Sequence, residues 1–195
     1  MVPKWLPNAI TVLRIVLLGV FWLLMGGGAV SGGTVPDGPR GFYALASLFG
    51  IGISDVLDGF IARRYGLASK AGVILDAGAD KTAQLGITGY FVFFDPRLPF
   101  WFLALLILRD LATGLGVWVL VRFVPGAHLE HRVHGKAASA LMFGLFLWVT
   151  LGAAATVKDV LVLTVSALVA VSTVVYVWDG ARVYRRRPRT DLGGA

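Results

Sequence analysis

The 195-residue chain is 57% hydrophobic and only 15% charged, against about 25% charged for an ordinary soluble domain, so composition favours a compact bundle of membrane helices over a soluble fold. It contains no cysteine, which excludes disulfides and thiolate metal sites. A net charge of +7 would suggest nucleic acid in a soluble protein; in a membrane protein basic residues sort to cytoplasmic loops and anionic headgroups, so no nucleic-acid partner is expected.

A helix needs about 20 mostly apolar residues to cross the hydrocarbon core. Ala9 to Met25 is the first candidate, interrupted only by Arg14. Its apolar run exceeds the ~7–15 residues of a signal-peptide core and carries that arginine, so it is expected to be retained although Lys4 precedes it and small residues follow. The second segment, Gly41 to Ser54, is uncharged and runs into "SDVLDGFIARRYGLASKAGVILDAGADK" (54–81). The third, Thr82 to Phe94, is uncharged and leaves it. Each reaches spanning length only if that polar window continues the helix. Leu98 to Val121 is apolar except for Arg109 and Asp110, while Ala137 to Val157 and Val160 to Trp178 are uncharged and separated by Lys158 and Asp159. The expectation is an all-α integral membrane bundle of six transmembrane helices, one domain over residues 1–187. Pro188 then ends the last helix and 188–195 form a polar tail.

Basic residues orient the spans. With the N-terminus inside, the cytoplasmic segments hold Lys4; Arg63, Arg64 and Lys70; Arg122, Arg132 and Lys136; and Arg182, Arg185, Arg186, Arg187 and Arg189. The other side keeps Arg40, Arg97 and Lys158. The positive-inside rule places both termini, and the turn within the polar window, in the cytoplasm.

The window holds four aspartates between apolar flanks. Asp55 and Asp58 are three apart, Asp76 and Asp80 four apart, and either spacing puts a pair on one helix face. With a turn near Gly66 and Ser69, the two pairs lie at nearly equal depth in an antiparallel hairpin, below the cytoplasmic surface. Four such carboxylates need protonation, pairing with Arg or Lys, or divalent metal. Oxygen-only ligands suit Mg²⁺, Mn²⁺ or Ca²⁺, and two ions held this way would clamp a pyrophosphate. Gly59, Ala62 and Gly72 leave room for a ligand or a neighbouring backbone, although small residues also serve plain helix packing. A metal-free proton relay in a transporter uses the same acids.

The pattern D-x2-D-G-x2-A-R-x8-G-x3-D-x3-D is met at Asp55, Asp58, Gly59, Ala62, Arg63, Gly72, Asp76 and Asp80. It resembles the signature of the CDP-alcohol phosphotransferases, membrane enzymes that make phospholipids. The opening "LPNAITVLRI", the "LRD" at 108–110 and the "HGKAAS" at 134–139 are similar to elements of bacterial phosphatidylglycerophosphate synthases. The resemblance implies an enzyme of the inner membrane, its site open to the cytoplasmic side. It implies two divalent ions, Mg²⁺ or Mn²⁺, on Asp55, Asp58, Asp76 and Asp80, with Asp80 also the general base. Gly59, Ala62, Arg63, Gly72 and Asp55 would border the nucleotide of CDP-diacylglycerol, and a homodimer is the family's common state.

An acceptor that carries a phosphate needs cations. Arg109, in the middle of a span, either binds that phosphate or neutralises Asp110 or an acid on another helix. Lys136 and Arg182 sit at the cytoplasmic ends of the fifth and sixth helices, where snorkelling to the interface competes with phosphate binding. Lys81, beside Asp80, offsets carboxylate charge. His131 and His134 read as exposed loop residues. Related synthases often show "LDPxADK" where this chain has "LDAGADK", with Ala77 replacing proline. The leading acceptor is glycerol 3-phosphate, with inositol 1-phosphate and phosphatidylglycerol as alternatives and a cation- or proton-coupled transporter as the rival from another class.

Overall fold

Uncharged runs of this length satisfy their backbone hydrogen bonds internally only as helices, and helices are what they form. A computed structural model of the protein describes residues 6–26, 39–65, 70–123, 133–152 and 154–185. Within these helices the side chains at 6–8, 55–56, 58–65, 70–71, 73–74, 120–121, 123, 133–138 and 184–185 lie outside the described set. Six helices stand among the described residues: α1 (Leu6–Gly26), α2 (Pro39–Tyr65), α3 (Lys70–Phe93), α4 (Phe100–Phe123), α5 (Val133–Thr150) and α6 (Ala155–Arg185). No strand occurs among them.

Pro39 opens α2 at a position where its missing N–H costs nothing. The polar window does continue both of its helices: α2 runs through Asp55, Asp58 and Arg63, and α3 begins before Asp76. The boundary between the last two helices differs from the expectation. Charge suggested a break at Lys158 and Asp159, but α5 already ends at Thr150. Gly152 there adopts φ 65°, its N–H donating to the Val149 carbonyl at 3.1 Å. That left-handed glycine terminates the helix. Lys158 and Asp159, paired at 3.2 Å, belong to the start of α6.

α1 packs most extensively on α2 and then on α3, while α4 and α5 pack on α6; α3 against α4 and α2 against α5 join the two groups. Phe21, Leu48, Ile87, Phe91, Phe102, Leu106, Leu145, Val165 and Val169 fill the shared core. At Gly52 a Cβ would stand 2.6 Å from the Phe143 ring, so α2 and α5 approach there because no side chain intervenes.

The α3–α4 connection is pinned. The N–H groups of Arg97 and Leu98 return to the Phe91 carbonyl at 3.0 and 2.9 Å. Arg97 pairs with buried Asp95 at 2.8 Å and donates to Val149 O at 2.6 Å, capping a terminal carbonyl of α5. The ends of α3 and α5 are thereby tied together, far along α3 from its aspartates.

α1, α4 and α6 hold stretches long and apolar enough to cross a membrane (Ala9–Gly26, Phe100–Val119 and Ala155–Val183). Their outer faces expose Leu23, Leu111 and Val174 at 77%, 65% and 66%, a surface suited to lipid and costly in water. Inside, the buried hydroxyls of Thr150 and Ser166 donate to carbonyls one turn back, the economical solution where water is absent.

Candidate active site

The polar interior begins with Arg14. It sits mid-way along α1, between apolar neighbours, and is fully buried. Its Nη1 donates to Asp76 Oδ1 at 3.1 Å and its Nε lies 3.4 Å from Ser54 Oγ. Ser54 precedes Asp55 on α2, and its hydroxyl donates to the Ile51 carbonyl at 2.8 Å. One guanidinium thus spans the two segments that carry the aspartates. In the sequence Arg14 stands out only as an interruption of an apolar run. The signal was present, because a cation inside a span demands a partner.

Asp76 and Asp80 lie a turn apart on α3, Asp76 half-buried and Asp80 exposed, with Gly72 a turn earlier. Asp55, Asp58, Gly59, Ala62 and Arg63 fall on the second half of α2, and their side chains lie outside the described residues. No group of three or more His, Cys, Asp or Glu placed to hold a metal occurs among the described residues. Donor chemistry still fits a hard cation: Asp76 gives Oδ1 to Arg14 while its side chain stays 42% exposed. Every candidate ligand is a carboxylate oxygen.

A second polar cluster bridges α3 and α4. Asp110 Oδ1 accepts from Lys81 Nζ at 2.6 Å and from Arg109 Nε and Nη2 at 2.9 and 2.7 Å. Arg109 Nη2 also donates to Gln84 Oε1 at 3.0 Å. Lys81 was read as an offset to the neighbouring Asp80; its ammonium is on Asp110 instead, across the helix seam. Arg109 has the local arrangement weighed for it, neutralising Asp110. Asp110 Oδ2 and Gln84 Nε2 are buried without a partner, leaving one acceptor and one donor unused beside the same guanidinium. Gln84 and the hub role of Asp110 were not anticipated. Gln84 lies one turn beyond Asp80, a spacing that could have flagged it.

Arg182, on the last turns of α6, is exposed with its guanidinium 5.2 Å from the Trp178 ring centroid, an aromatic–cation pair of the kind found near membrane interfaces. Lys136 lies in the first turn of α5 and its side chain is outside the described residues. His131 lies outside them as well. The described contacts do not join Arg109, Lys136 and Arg182 into one cluster.

Comparison with known proteins adds the class. The CDP-alcohol phosphatidyltransferase family profile matches residues 4–178. Proteins of two Mycobacterium tuberculosis strains (CDC 1551 / Oshkosh and ATCC 25618 / H37Rv), each named probable phosphatidylglycerophosphate synthase, are 32% identical over 193 residues. Those matches cover 97% of this chain and 84% of each relative. With the aspartate signature on α2 and α3, and a match over nearly the whole chain, the protein belongs to the CDP-alcohol phosphatidyltransferase family and is a membrane enzyme of that class.

Proposed function

We propose that the protein transfers a phosphatidyl group from CDP-diacylglycerol to glycerol 3-phosphate and releases CMP. The observation that carries this reading is the meeting, at Arg14, of the residue before Asp55 with Asp76. It draws the two halves of the signature toward one place. The relatives' name supports the acceptor, since a phosphatidylglycerophosphate is what glycerol 3-phosphate would yield.

In this reading the acceptor hydroxyl gives its proton to Asp80 while its oxygen attacks the phosphorus that bears the lipid. The phosphoanhydride bond breaks and its electron pair leaves with CMP. The family is generally dependent on divalent metal. Asp55, Asp58, Asp76 and Asp80 are the residues that would hold two ions, Mg²⁺ or Mn²⁺, whose chemistry is to neutralise charge on the pyrophosphate. Gly59, Ala62, Arg63 and Gly72 border the nucleotide. Arg109 meets the acceptor's phosphate from α4, while Lys136 and Arg182, at the cytoplasmic ends of α5 and α6, line its approach.

The six helices all span in this reading, as a homodimer in the inner membrane with both termini and the site on the cytoplasmic side. Residues 1–187 form the single domain and 188–195 the tail. The test is CMP release from CDP-diacylglycerol by purified protein in detergent with Mg²⁺ or Mn²⁺. Glycerol 3-phosphate, inositol 1-phosphate, serine and phosphatidylglycerol are supplied in parallel. Release with glycerol 3-phosphate alone is expected, and release with another acceptor alone overturns the assignment.

A further inference from the structure

Arg14 has no place in the chemistry so far, yet it is among the largest fully buried side chains and it carries a charge. A buried guanidinium stripped of a carboxylate partner is strongly destabilising, so the pairing with Asp76 helps make Arg14 tolerable inside α1. The dependence runs the other way too. Arg14 Nη1, 3.1 Å from Asp76 Oδ1, supplies positive charge to a carboxylate one helical turn from Asp80. A divalent ion arriving at Asp76 meets that fixed cation, and the sign of the Coulomb interaction between them is repulsive.

We propose that Arg14 is the resident counter-ion of the carboxylate site, holding Asp76 while no divalent ion is bound and competing with that ion for the same side chain. The proposal rests on Asp76 being a metal ligand. It gives the site two properties. The bundle keeps its α1–α2–α3 junction in the metal-free protein, because the Arg14 contacts to Asp76 and Ser54 need no ion. The loaded site also retains one extra positive charge, which favours an anionic diphosphate over water as the next arrival. A purely structural clamp between helices would predict the first property without any effect on metal affinity.

The experiment uses the full-length protein in detergent after chelation. Mn²⁺ binding is read from the free-ion electron paramagnetic resonance signal, and thermal unfolding is followed with and without Mn²⁺. Arg14→Gln removes the charge at similar length; Arg14→Lys keeps the charge. Arg14→Gln is expected to melt below wild type without metal, yet to bind Mn²⁺ about tenfold more tightly, so that its metal-induced rise in Tm exceeds that of wild type. Arg14→Lys is expected to stay within about threefold of the wild-type affinity. Should Arg14→Gln require Mn²⁺ to remain folded, it is purified with the ion and its affinity read by chelator competition, with the same tightening expected. Unchanged or weaker Mn²⁺ binding in Arg14→Gln overturns the competition and leaves Arg14 a clamp. Absence of Mn²⁺ binding by the wild type removes the metal reading itself, and the proposal with it.

Discussion

Asp76 and Asp80 share a helix face but not an environment. Asp76 is held by a buried guanidinium, whereas Asp80 is exposed one turn further on, where an alcohol can approach. In the proposed reaction that exposure suits Asp80, a ligand like Asp76, to serve as base as well. Asp80→Asn keeps the shape and removes the proton acceptor, so transfer is expected to fall by about 10²–10⁴-fold with Tm little changed. Turnover near the wild-type rate would remove Asp80 from the mechanism. Arg109 carries a sharper ambiguity, because its Nε and Nη2 are already on Asp110 and Gln84. If it also meets the acceptor's phosphate, Arg109→Ala raises the KM for glycerol 3-phosphate by about tenfold or more while that for CDP-diacylglycerol moves little. Equal losses for both substrates would assign it to the helix seam.

At the scale of elements, the α3–α4 seam depends on one carboxylate that serves two cations. Removing a single partner of a buried pair leaves the others uncompensated. Asp110→Asn is therefore expected to cost about 3 kcal/mol, and Lys81→Met, at a more exposed position, under about 1 kcal/mol. Thermal unfolding in detergent measures both, and equal losses would contradict the hub.

The same scale shows what the sequence disclosed. Apolar runs located all six helices, and the spacing of the aspartates fitted helices that continue through the polar window. The α5–α6 break was misplaced because charge was taken as the boundary marker. The marker was a left-handed glycine, and Gly152 shares its apolar stretch with Gly144, from which nothing local in the sequence distinguishes it. Long-range pairings were the least legible. The Arg14–Asp76 contact spans 62 residues and Lys81–Asp110 spans 29; spacing along one helix says nothing about which neighbouring helix supplies the partner.

As a whole, the molecule has two distinct ends. α1 and α3 run parallel, as the Arg14–Asp76 and Phe21–Tyr90 contacts require, with α2 reversed beside α1. The aspartates therefore share one end with the N-terminus of α1, and the Arg97 tie marks the other. Among the described residues, Arg63, Arg64, Lys70, Arg122, Lys136, Arg182 and Arg185 fall toward the aspartate end, which is the arrangement the positive-inside rule assigns to the cytoplasm. An even number of crossings would bring the C-terminus back to that side. The chain's lack of cysteine makes this directly measurable, since any introduced thiol is the sole reactive one. Thr190→Cys, five residues beyond α6 in the sequence, and Thr156→Cys, exposed at the start of α6, are single substitutions on either side of that helix. In intact cells an impermeant maleimide is expected to label Thr156→Cys and to spare Thr190→Cys until the membrane is opened. Labelling of Thr190→Cys in intact cells with protection of Thr156→Cys would invert the bundle and turn the aspartates away from the cytoplasm. Labelling of both would mean an even number of crossings between them, so that α6, the one helix between the two positions, does not span.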